Sequence, residues 1–121
     1  MSYIVICDDD EEFSGMIGTF IKSLGHEVCA VSSPTQLGSA LLQRRPDLLV
    51  TDVEMPGGGG ASAAKLLMNM GAADLPVVVC SGLAVEKQRP VFAGLKKVRH
   101  FQKPVDLDGL EAALRDNLAR R

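Results

Sequence analysis

The chain has 121 residues, 46% of them apolar, with 13 basic against 15 acidic residues and a net charge of −2. That length supports one core and little more, and the composition is globular rather than disordered. The near balance of charge gives no electrostatic case for direct binding of nucleic acid or an anionic membrane, and no apolar run nears the roughly 18 residues that span a bilayer. No basic and apolar leader precedes the first strand, so a cytoplasmic location is expected. Cys7, Cys29 and Cys80 all fall in predicted strands and show no CxxC spacing. They read as small thiols in a reducing compartment, not as a zinc or redox motif.

In chain order, Tyr3 to Cys7 is a short apolar run that stops on Asp8, Asp9 and Asp10. A helix is predicted from about Asp10 to Leu24, with Phe13, Met16, Ile17, Phe20, Ile21 and Leu24 at helical spacing and Gly25 as its stop. Asp10 suits the start of that helix better than a ligand role, since carboxylates favour the positive end of the helix dipole. A strand over Glu27–Val31 follows. Ser33-Pro34 then reads as an N-cap with proline at the first helical position, opening a helix that carries Leu37, Leu41 and Leu42. The third strand, Leu48 to Thr51, stops on Asp52. A long turn, Glu54 to Gly60, leads to a helix with Leu66, Leu67 and Met70 on one face.

The fourth strand, Val77 to Cys80, stops on Ser81-Gly82. The fourth helix is expected to start near Pro90 or to kink there, because proline lacks the N–H and clashes with the preceding turn. The fifth strand, about Val98 to Gln102, stops on Lys103-Pro104. The last helix runs from Asp106 or Leu107 towards Arg121, with Leu107, Leu110, Leu114 and Leu118 inward and basic residues at its negative end.

Five strands alternating with helices over short connections imply an α/β fold, a doubly wound parallel sheet. The chain is read as a single domain over residues 1–121 with no output domain, either complete in itself or the N-terminal piece of something longer. In open parallel sheets, ligands sit beyond the carboxyl ends of the strands. Asp8, Asp9, Asp52, Ser81 and Lys103 all fall there, a set suited to a magnesium-dependent phosphoryl site. Packing three carboxylates together is repulsive unless a cation intervenes. Gly57 to Gly60 does not make a phosphate loop: no Gly-Lys-Ser/Thr follows, and position 62 is serine where a GxGxxG spacing needs glycine. A flexible turn is the expected role. Flavin binding is disfavoured by the absence of Trp and the scarcity of other aromatics.

Taken together and in order, these strand-end motifs resemble a response-regulator receiver domain across essentially the whole chain. The resemblance implies a three-layer, flavodoxin-like fold with strand order 2-1-3-4-5. It implies Asp52 as phosphoacceptor and Asp8, Asp9, Asp52 and the Glu54 backbone carbonyl as ligands of magnesium, with manganese as a substitute. Ser81 and Lys103 would bind phosphoryl oxygens, and the Lys103-Pro104 peptide bond would be cis. Lys103 is expected to pair with Asp52 until a phosphoryl group arrives. The implied donor is a phosphohistidine on a sensor histidine kinase or phosphotransfer protein.

Two departures stand out. The position three before Lys103, an aromatic in most receivers, is His100, which with Ser81 would form the switch. Leu95-Lys96-Lys97 replaces the usual small residues and alters the fourth helix–fifth strand–fifth helix face, where many members bind a second copy or a downstream protein. With Pro90 nearby, the usual dimer is not assumed. Glu54 and Leu83, two residues after Asp52 and Ser81, would tune the phosphoryl lifetime, and apolar Leu83 should slow self-dephosphorylation. The chain would then be a signalling module without a metabolite substrate. The rival readings are a degenerate, non-switching receiver that binds a partner constitutively, and a small magnesium phosphatase on the same scaffold.

Overall fold

The computed structural model describes residues 2–118. Five parallel strands, β1 (Tyr3–Cys7), β2 (Glu27–Val31), β3 (Leu48–Thr51), β4 (Val77–Ser81) and β5 (Val98–Gln102), form one sheet in the order β2-β1-β3-β4-β5. The order reverses between β1 and β3, which are paired with Cys7 opposite Thr51. The residues that follow each, Asp8 and Asp52, therefore leave the sheet side by side. This is the crevice where an open parallel sheet accepts ligands.

The central strands are buried on both faces, and alternate residues supply two cores. Ile4, Ile6, Leu48, Val50, Val78 and Cys80 pack with α1 (Glu11–Ser23) and α5 (Leu107–Leu118). Tyr3, Val5, Cys7, Leu49, Val77 and Val79 pack on the other side with α2 (Pro34–Gln43) and α3 (Gly59–Asn69). The Asp10 side chain caps α1 by accepting from the Phe13 N–H, and Ser33 caps α2 by accepting from Gln36 N–H, with Pro34 in the first turn.

Several expectations are corrected at the level of helix faces. Phe13, Ile17 and Ile21 are buried, but Met16 is 51% exposed. Leu37 and Leu41, one turn apart, face the core, whereas Leu42 falls off that stripe and is 81% exposed. In α3 the buried face is Ala63, Ala64 and Leu67, and Met70 is the exposed residue that ends the helix. The helix begins at Gly59, so Gly57 to Gly60 is not a slack turn. Gly57, Gly58 and Gly59 all have positive φ, at 82°, 97° and 55°, which glycine adopts without steric cost.

The fourth helix starts earlier than Pro90. It comprises α4 (Val85–Gln88), which passes into a 3-10 turn over Arg89–Phe92. Pro90 occupies the opening of that turn, where its missing N–H leaves no bond unmade. In α5, Leu110, Leu114 and Leu118 are buried as expected, and Leu107 is partly buried. The basic end expected at Arg120 and Arg121 lies outside the described residues.

Candidate functional site

Asp8 and Asp52 extend from the ends of β1 and β3, and Asp9 follows Asp8 into the turn before α1. One carboxylate oxygen from each lies within 4.8 Å of the others. Asp8 and Asp52 are buried, 3% and 6% exposed, while Asp9 is open to solvent. The Asp52 carboxylate is oriented by its own loop: Oδ1 accepts from the Val53 N–H at 2.6 Å and from the Glu54 N–H at 3.3 Å. Asp8 Oδ1 accepts from the Asp10 N–H at 2.9 Å.

Lys103 enters from the end of β5. Its ammonium is 2.9 Å from Asp8 Oδ2 and 3.4 Å from Asp52 Oδ2. The expected pairing with Asp52 is therefore shared, and the shorter contact goes to Asp8. The chain is held here by the Lys103 N–H, which donates to the Ser81 carbonyl at 2.7 Å, and by a cis Lys103-Pro104 bond. The Nζ also lies 4.1 Å from the centre of the Phe13 ring, a cation–π contact that positions the ammonium from below.

Burial raises the Asp8 carboxyl above the ordinary aspartate range, with the Asp10 N–H and Lys103 working against that rise. Burial alone would lower the Lys103 ammonium, but the hydrogen bond and charge of Asp8, then the charge of Asp52, raise it overall. The lysine stays charged and holds two buried carboxylates together. Cys7 and Cys80, beneath the site, are both pushed up to about 12, chiefly by burial.

The chemistry of the donor set suits a hard divalent cation. Magnesium takes oxygen ligands at about 2.0–2.1 Å in an octahedron, so opposed ligand oxygens stand roughly 4 Å apart, close to the spread of these carboxylates.

The remaining candidates surround this centre. Ser81 is fully buried at the end of β4, and its Oγ accepts from the Leu83 N–H at 3.2 Å. Leu83 is half-buried and Glu54 exposed. His100 is half-buried on β5, with Nδ1 3.1 Å from Gln88 Oε1 and its ring edge-on to Phe92 at 6.2 Å between centroids. Burial, then the charge of Arg89, lowers the His100 pKa. Asp10 belongs to the α1 cap.

Two contributors, Phe13 and Gln88, were not singled out from the sequence, and a third, Gly60, was read there only as a mark of the turn that follows Asp52. Phe13 reads only as one more apolar residue on α1. Gln88 lies in the least regular segment and carries no motif. Gly60 is a close-approach position: a Cβ there would meet Phe92 Cζ at 2.7 Å, Val53 Cα at 3.1 Å and the Asp52 carbonyl oxygen at 3.3 Å.

The sequence profile of the response regulator receiver domain matches residues 4–115. A protein-glutamate methylesterase/protein-glutamine glutaminase 1 of Photobacterium profundum is 30% identical over 94% of this chain and 37% of its own length. The chain thus spans little more than a third of that relative. Among solved structures, the receiver domain of Francisella response regulator 1452 superposes with a TM-score of 0.85 at 21% identity, covering 99% of this chain and 98% of that one. The receiver domain of the Pseudomonas aeruginosa sensor histidine kinase PA1611, described with a magnesium ion coordinated in its active-site cleft, gives 0.85 at 19% identity over 98% of each chain. The chain belongs to the response regulator receiver domain family. It is a module of two-component signalling, and its aspartate cluster fits a magnesium site. Among the described residues no helix is long and apolar enough to cross a membrane.

Proposed function

We propose that this chain is a phosphoacceptor receiver that takes a phosphoryl group onto Asp52 from a phosphohistidine of a sensor histidine kinase or phosphotransfer protein. The observation that carries the reading is the convergence of Asp8, Asp9, Asp52 and Lys103, from three strand ends, on one small volume.

The two N–H groups on Asp52 Oδ1 fix the plane of the carboxylate before the donor arrives. A carboxylate oxygen of Asp52 attacks phosphorus, the P–N bond to the donor imidazole breaks, and the imidazole leaves with that electron pair and takes a proton. Asp8, Asp9, the Asp52 carboxylate and the Glu54 carbonyl would hold magnesium. When bound, it supplies a hard cation that offsets charge on the phosphoryl oxygens. Lys103 then trades a carboxylate oxygen for a phosphoryl oxygen, and the Ser81 hydroxyl donates to another. Ser81 would have to release its bond from Leu83 or rotate about it, which links the site to the loop before α4. Phosphorylation thereby biases the face around His100, where a downstream protein or a second copy binds.

Intact mass after incubation with acetyl phosphate tests this directly. One phosphoryl group should be gained in the presence of magnesium, and none with EDTA or in Asp52→Asn. A wild-type chain that binds magnesium but gains no mass would favour the non-switching module.

A further inference from the structure

Gln88, the last residue of α4, is fully buried, and nothing in the chemistry at Asp52 calls for it. Both of its N–H donors and its carbonyl oxygen are nonetheless engaged. Nε2 donates to the Leu83 carbonyl at 2.8 Å and to the Phe101 carbonyl at 2.9 Å, and Oε1 faces His100 Nδ1 at 3.1 Å. Two backbone carbonyls can only accept, so the amide has a single satisfying orientation. Oε1 can only accept as well, which requires a hydrogen on His100 Nδ1 and leaves Nε2 with the lone pair in the neutral ring. Gln88 therefore dictates the histidine tautomer.

The same amide spans two segments that the site uses. Leu83 donates its N–H to Ser81 Oγ and offers its carbonyl to Gln88. Phe101 adjoins His100 and lies two residues before Lys103. We propose that Gln88 is a positioning residue: it clamps the loop after Ser81 to β5, fixes His100 as the Nδ1–H tautomer, and carries movement of Ser81 to His100 through the backbone of Leu83. The relay half of this proposal rests on the phosphoacceptor reading; the tautomer half does not. An aromatic hydrocarbon at position 100 could move as a free wedge. An imidazole tethered through Nδ1 moves only with its partner amide.

Long-range nitrogen–proton NMR of the histidine rings in the wild-type protein near neutral pH is the first test, with His100→Phe distinguishing His100 from His26. A His100 ring in the Nδ1–H form supports the clamp, and an Nε2–H ring overturns it. Gln88→Met keeps the volume and removes the hydrogen bonds. In that variant the ring should lose its fixed tautomer, and its response to beryllofluoride with magnesium, a phosphoryl mimic on a carboxylate, should fall several-fold. A full His100 response in Gln88→Met would overturn the relay. If that variant does not fold, the wild-type side-chain amide protons of Gln88 decide: they should shift on adding beryllofluoride with magnesium, and unmoved resonances would overturn the relay. A wild type that shows no site response to the mimic at Asp52 itself would instead count against the phosphoacceptor reading and leave the tautomer result standing.

Discussion

Lys103 holds Asp8 more tightly than Asp52, at 2.9 Å against 3.4 Å, although Asp52 is the residue it would serve during phosphoryl transfer. Asp8 is also the more deeply buried of the two. The ammonium thus compensates the carboxylate that solvent screens least, and leaves the other more open to attack or exchange. Lys103→Met should leave two buried carboxylates without a cation. Removing one partner of a buried pair costs on the order of 3–5 kcal/mol. Because a divalent ion binds the native state selectively, magnesium should restore part of that loss and raise the melting temperature more in Lys103→Met than in wild type. Melts in EDTA and in millimolar magnesium test this; equal magnesium shifts in the two proteins would remove the lysine from this role.

A paired glycine experiment separates close approach from flexibility. Gly60→Ala would drive a methyl group into Phe92 and into the backbone of Val53 behind Asp52, and overpacking of this kind costs about 1–3 kcal/mol. Gly15 lies within α1 with no atom within 4 Å of where its Cβ would stand. Gly15→Ala should stabilise by roughly 0.5–1 kcal/mol through helix propensity. Denaturant midpoints of opposite sign are expected, and two shifts of the same sign would contradict the argument.

The site was legible because each of its side chains follows an apolar run, and parallel strands deliver their carboxyl ends to one edge. Asp8, Asp9, Asp52 and Lys103 needed no more than that rule. Helix faces were harder to read. Met16, Leu42 and Met70 are apolar, yet the sheet has room for only one stripe per helix. At Pro90 the rule against proline in a helix interior was sound, but Val85 to Gln88 forms a helical turn before it, and the 3-10 geometry absorbs the proline. Gln88 was beyond sequence reading, since its burial depends on carbonyls at residues 83 and 101 meeting it in space.

The cysteines should divide by depth. Cys7 and Cys80 are fully buried with thiols pushed up to about 12, whereas Cys29 on the edge strand β2 is partly exposed, and none is disulfide-bonded. The thiolate is the reactive species, so near pH 8 the two buried thiols should resist alkylation. Intact mass after iodoacetamide should show at most one label on the native protein, at Cys29, and three after denaturation. Rapid native labelling of Cys7 would mean the floor of the site opens.

His100 should make stability depend on pH. Its folded pKa lies below the ordinary 6.5 because burial, then Arg89, disfavour the imidazolium. The unfolded chain therefore binds more protons in the window between the lowered value and 6.5, and stability rises with pH there. The contribution is fully present above about 6.5 and is lost as pH falls through the folded value. His100→Phe removes this group and leaves the carboxylates and His26 in place. The difference in denaturant midpoint between wild type and variant should change across pH 7.5 to 5.5, to the disadvantage of wild type on the acid side. A constant difference would show that His100 titrates alike in the folded and unfolded chains.

Leu83 makes a prediction about time rather than equilibrium. If Asp52 carries a phosphoryl group, loss of that group requires a water aligned for attack. Leu83 is half-buried beside Ser81, and its side chain has no atom that can hold a water. An acid at this position could orient one and accept its proton, an effect worth about 10²-fold where geometry is ideal and less on a loop. Leu83→Glu should therefore shorten the phosphoryl lifetime several-fold, while its backbone N–H continues to serve Ser81. Decay of the phosphorylated mass after removal of the donor measures this. An unchanged lifetime, with Gln88 and His100 resonances undisturbed, would mean that hydrolysis is limited elsewhere, and Glu54 on the opposite loop would be the next position to vary.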